Sequence, residues 1–98
     1  MPKRHSEHLN LGEALKAFLK VNKLQKGLDR VEAKKAWKKL MGNGVDNYTT
    51  NVELRGETLY VSLSSSVLRE ELSYGKTKII TMLNEELGKT LIKELVLR

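Results

Sequence analysis

Ninety-eight residues, 40% hydrophobic and 31% charged, allow one small domain with a single modest core and exclude a second. Cysteine is absent, which excludes disulfides and cysteine-based zinc sites and fits a reducing compartment. The net charge is +6, and all of the excess lies in residues 1–50, where 11 Lys/Arg stand against 5 Asp/Glu; residues 51–98 carry 7 of each.

Residues 1–9 read as a flexible polar tail without the apolar run of a secretory signal. No stretch reaches the roughly 18 apolar residues that span a bilayer, so a cytoplasmic protein without membrane association is expected. Residues 10–98 read as a single domain. Asn10 is a candidate N-cap with Glu13 three residues on, and Leu11, Ala14, Leu15, Phe18 and Leu19 recur at helical spacing over residues 11–21. The polar run NKLQKG then interrupts the pattern. A second helix is predicted from Leu28 or Asp29 to Met41, with Asp29 and Glu32 as a capping pair and Ala33, Ala36, Trp37, Leu40 and Met41 on its apolar face. The glycines of MGNG end it.

From Tyr48 the period changes to two. Val52 and Leu54, then Leu59, Val61 and Leu63, alternate with polar residues across a turn at Gly56-Glu57, the pattern of a β-hairpin with one buried face. The serines 64–66 offer N-caps for a helix from about Val67, with Leu68 and Leu72 inward. Beyond Gly75, read as a hinge, Ile79, Ile80, Leu83 and Leu87 continue as a helix that stops at Gly88. LIKELVLR closes the chain as a third strand. The predicted order is α-α-β-β-α(-α)-β, an α/β (α+β) domain whose three-stranded sheet carries its helices on one face. Phe18, Trp37, Leu40, Leu72 and Leu83 are expected in its core.

Catalytic patterns do not assemble. Gly75-Lys76-Thr77 matches the end of a phosphate-binding loop, but the first glycine of that motif falls on Glu70, within a helical pattern. His5 and His8 in the tail lack a third metal ligand, the serine run has no histidine beside it, and the adjacent pairs Glu70-Glu71 and Glu85-Glu86 diverge on their helices. The expectation is a non-enzyme with no cofactor, metal or small-molecule substrate.

The excess charge points to a polyanion. Arg30, Lys34 and Lys38 recur at four-residue spacing with Lys35 and Lys39 beside them, a stripe suited to phosphates and blind to base sequence. Lys16, Lys20, Lys23 and Lys26 extend it if the first two helices align, and Lys76 and Lys78 at the hinge extend it further. Tyr60, pointing away from the inferred core, and Tyr74 are candidate base-stacking residues. An alternative from a different class is a protein–protein adaptor, using an exposed sheet edge or offering the basic face to an acidic protein.

Three segments, AWKKLMGNGVDNYT, ETLYVSLSSSVLREELSY and LNEELGKTLIKELVLR, resemble in order and spacing those of the DciA-like family of small bacterial proteins. The resemblance covers roughly residues 9–98. It implies a KH-like fold and a non-enzymatic, ATP-independent partner that helps load the replicative DNA helicase and also binds DNA. From the cation stripe, binding to single-stranded or duplex DNA without sequence preference is expected. A KH domain clamps nucleic acid with G-x-x-G between paired helices; the matching Tyr74-Gly75-Lys76-Thr77 has a single glycine.

Overall fold

The computed structural model describes residues 10–98, so the tail over residues 1–9, with His5 and His8, lies outside them. Helix α1 (Leu11–Asp46) is a single element of 36 residues, where two helices were expected. Its N-cap is Asn10, whose Oδ1 accepts from the Glu13 N–H at 2.7 Å. The interruption at NKLQKG does not break it. Lys, Leu and Gln are good helix formers, and Gly27, the one poor one, sits in open space where no packing opposes the helix. Asp29 and Glu32 therefore lie inside the helix and cap nothing.

That continuity corrects the placement of Phe18, which is 66% exposed rather than part of the core. The first buried residue of α1 is Ala33, and Phe18 stands 15 residues before it, about 22 Å further along the axis. Residues 11–28 are all exposed, and those before Lys26, which lines a groove with Leu54, Gly56 and Leu91, project beyond the body of the domain. The molecule measures 62 × 21 × 20 Å, with a radius of gyration of 18.3 Å. A compact chain of this size would have about 13 Å.

Gly42 breaks α1 with φ 69° and ψ −179°, after which a last helical turn leads to Asp46. MGNG is therefore a kink rather than an end. Only glycine tolerates that backbone region without strain. Gly42→Ala should cost about 1–3 kcal/mol although nothing crowds the position. Gly44→Ala, in the following turn at negative φ, should be neutral or slightly stabilising. Urea midpoints of the two variants check this contrast.

Strands β1 (Thr49–Arg55) and β2 (Thr58–Leu63) form the antiparallel hairpin, with Val52 opposite Val61 and Leu54 opposite Leu59. Helix α2 (Ser66–Ser73) is capped by Ser65, whose Oγ accepts from the Leu68 N–H at 3.2 Å. Tyr74 and Gly75 separate it from α3 (Lys76–Leu87), so Gly75 is the hinge between two helices. Gly88, in the left-handed conformation at φ 74°, ends α3. Strand β3 (Glu94–Leu97) then pairs parallel to β2, a connection that requires the crossover supplied by α2 and α3. The sheet order is β1-β2-β3, a mixed three-stranded sheet in an α+β domain.

One face of the sheet holds the core. Val52, Leu54, Leu59, Val61, Leu63 and Leu95 meet Ala33, Ala36 and Trp37 from α1 and Ile79 and Leu83 from α3. Leu40 and Leu72 are half-buried at its margin. Ile92 is fully buried although it precedes β3 and belongs to no periodic pattern. The side chain of Asn84 holds it there: Oδ1 accepts from the Leu91 and Ile92 N–H groups at 3.1 and 2.9 Å, and Nδ2 donates to the Ile92 carbonyl at 2.8 Å. Asn84→Ala takes the side-chain partner from the Ile92 N–H and carbonyl, while the Leu91 N–H keeps the Lys89 carbonyl at 3.0 Å, and should lower stability by about 1–3 kcal/mol. Amide exchange at Ile92 should accelerate with it.

Candidate nucleic-acid interface

A single α1 decides how the cations stand relative to one another. Lys16, Lys20, Lys23, Arg30, Lys34 and Lys38 follow at intervals of 4, 3, 7, 4 and 4 residues. At about 100° per residue they fall within an arc of roughly 80°. The row runs 22 residues, about 33 Å, along one side of the helix. Lys26 lies just beside it. Every member is exposed, and among the described residues none of the six is held in an ion pair. Gly27 leaves one gap in the row, between Lys23 and Arg30, and the Glu53 carboxylate feels the charge of Arg30. Exposed ammonium and guanidinium groups outside ion pairs are suited to meet a phosphate backbone.

The other cations expected at this surface are placed differently. Lys35 and Lys39 lie roughly 100° around the helix from Lys34 and Lys38, on the side where α3 packs. There Lys39 Nζ donates to Glu86 Oε2 at 2.8 Å, which neutralises it locally. Lys76 and Lys78 are in the first turn of α3, eight to ten residues before Glu86, about 12–15 Å along that helix. The fold does not join them to the row.

The body end of the row is tied down by long-range contacts. Asp29, next to Arg30, accepts from Lys89 Nζ at 2.6 Å and from Gln25 Nε2 at 2.9 Å. The bond from Lys89 holds the Asp29 carboxyl below the usual carboxylate range, against the opposing effect of its partial burial. Beside it a groove of about 150 Å³ opens between α1 and the hairpin turn, lined by Lys26, Asp29, Arg30, Leu54, Gly56 and Leu91. Trp37 is fully buried, and its Nε1–H donates to Thr49 Oγ1 at 3.1 Å. Thr49 Oγ1 in turn donates to the Val45 carbonyl at 3.0 Å, so the stretch of α1 bearing Lys34 and Lys38 is fixed to the start of β1.

The opposite face of the sheet is open and carries Tyr60. Arg55 and Arg98 lie over its ring, with guanidinium carbons 5.5 and 4.8 Å from the centroid. Arg55 also meets Glu53 at 3.0 Å, an exposed pair that lowers the Glu53 pKa and raises that of Arg55. Tyr60 is thus already flanked by cations, whereas Tyr74 is 76% exposed and donates only to Glu70 at 3.2 Å. Among the described residues no group of three or more His, Cys, Asp or Glu could hold a metal ion, and no helix is long and apolar enough to cross a membrane.

Sequence reasoning named each of the six cations but could not align the first three with the last three. The signal that could have done so is the lack of any proline or paired glycine between Val21 and Leu28.

The model of a protein family described as "Dna[CI] antecedent, DciA" matches residues 10–97, nearly the whole chain. No curated protein matches the chain significantly.

Proposed function

Because the chain belongs to the DciA family, we propose that it serves the replicative DNA helicase as a non-enzymatic partner and holds DNA along the cation row of α1. The family supports an accessory role in helicase loading. The DNA contact rests on a separate observation, the alignment of Lys16, Lys20, Lys23, Arg30, Lys34 and Lys38 on one helix. Each cation that meets a phosphate releases condensed counterions, so affinity comes from charge and spacing rather than from reading bases. The row's length of about 33 Å is close to one turn of duplex DNA.

Fluorescence anisotropy of labelled single-stranded and duplex DNA at stepped salt tests this. Binding whose logarithm falls linearly with log salt supports the phosphate contact. No binding to either form at low salt would sink it. A second reading has one observation in its favour: β3 is an edge strand, paired only to β2 among the described residues. A partner that adds a strand there would bind with little dependence on salt.

A further inference from the structure

The projecting part of α1 is not polar all round. Leu11, Ala14, Phe18, Val21, Gln25 and Leu28 follow at intervals of 3, 4, 3, 4 and 3 residues, a seven-residue repeat with one polar member. Leu15, Leu24 and Val31 widen the stripe. Its large side chains are all between 48% and 86% exposed. Lys16, Lys23 and Arg30 repeat every seven residues too, but on the outer side. This part of α1 extends from the packed body with its apolar stripe exposed and two glycines, Gly12 and Gly27, in its length, and most helical stability in proteins comes from packing of an amphipathic face. A surface that covers the stripe would stabilise it.

We propose that the cover is a second copy of the chain, its α1 running antiparallel against this one. Charge selects the occupant. A helix of an acidic protein would be matched by cations beside the apolar seam, and here the cations stand on the far side of the helix. The ionisable group that does flank the seam, Asp29, is already bound by Lys89 of its own chain. Two copies of a chain with net charge +6 can therefore meet through an uncharged seam with their lysines outward. Residues 1–9, MPKRHSEHL, hold too little apolar matter to cover a stripe this long.

Size matching selects the direction. Antiparallel pairing sets Leu11 against Leu28, Phe18 against Val21, and Ala14 against Gln25. Parallel pairing would set Phe18 on Phe18 and Ala14 on Ala14, overfilling one layer and leaving a void in another. Antiparallel chains also keep the two globular ends, with their like charge, apart. The pairing would bury roughly 1,200 Å² in total, the lower edge for a specific interface, so a dimer of micromolar affinity is expected.

The test is sedimentation equilibrium of the full chain from about 1 to 200 µM, with helicity followed by circular dichroism; micromolar affinity places the transition within that range. Mass should rise from monomer to dimer, and helicity should rise with it. Phe18→Asp should stay monomeric throughout while Trp37 fluorescence reports an intact domain. Lys23→Glu, on the outer face, should dimerise normally. Because the chain has no cysteine, Leu11→Cys and Leu28→Cys chains should cross-link when mixed and not when alone. A wild-type chain that is monomeric at 200 µM, or a Phe18→Asp variant that still dimerises, overturns the proposal; cross-linking of each cysteine variant with itself overturns the antiparallel direction. The inference is independent of DNA binding: dimers that fail to bind DNA refute the functional reading alone.

Discussion

Trp37→Ala should lower the stability of the domain by about 3–5 kcal/mol, the cost of truncating a core aromatic. The indole is fully buried at the point where α1 crosses the sheet, among Ala33, Ala36 and the hairpin residues Val52 and Leu54. Its removal leaves a cavity lined by elements that are fixed elsewhere and cannot collapse into it. It also deletes the Nε1–H bond to Thr49 Oγ1. Thr49 keeps its own donation to the Val45 carbonyl, so that loss adds little. A domain of this size has a total stability on the order of 5–10 kcal/mol. The variant is therefore expected to be barely folded at 37 °C, with a midpoint lowered by roughly 15–30 °C. Trp37 is the sole tryptophan, so the transition must be followed by circular dichroism. Trp37→Phe keeps most of the volume and should lose about 1–2 kcal/mol. An unchanged midpoint in Trp37→Ala would mean that the indole does not anchor α1.

The features legible in the sequence were those set by neighbours in the chain. Alternation over Val52–Leu63 named five residues that the sheet buries, because a strand's side-chain period follows from the backbone alone. Asn10, Ser65 and Gly88 were readable as caps, since each satisfies the helix end it adjoins. What failed was a question of breakers. NKLQKG is polar enough to look like a connection, yet it contains nothing that stops a helix except Gly27, whose cost is about 1 kcal/mol. Reading it as a gap split α1 in two and folded Phe18 onto a sheet it never reaches.

Other misses came from partners far apart in sequence. Asp29 looked like a cap because the residue that claims its carboxylate, Lys89, lies 60 positions away. Lys39 looked equivalent to Lys38 until the fold brought Glu86 to it. Ile92 has no period to belong to; its burial depends on the amide of Asn84. The consequence for function is that charge content was legible and charge geometry was not. The same misreading of NKLQKG hid both faces of the projecting helix, the cationic row and the apolar seam.

Charge reversal along that row should produce the largest functional effect. If five or six cations contact phosphates, log K should fall against log salt with a slope of about −4.5 to −5.4 on duplex DNA. Lys34→Glu with Lys38→Glu removes two contacts and places two anions against the backbone. The slope should then shrink by about 2, and affinity near 100 mM salt should drop at least 100-fold. Duplex and single-stranded DNA of any sequence should be affected alike, because phosphate contacts carry no base information. Lys23→Glu should act in the same direction with a slope change of about 1, since it stands in the same row on the projecting segment. Lys39→Glu is the control. Its ammonium is already neutralised by Glu86 and faces α3, so the slope should not change, although the lost ion pair should cost a few tenths of a kcal/mol of stability. Equal losses at Lys38 and Lys39 would mean that net charge alone draws DNA to the protein. Loss at Lys34, Lys38 and Lys23 with Lys39 silent requires a contact laid along one side of a continuous helix.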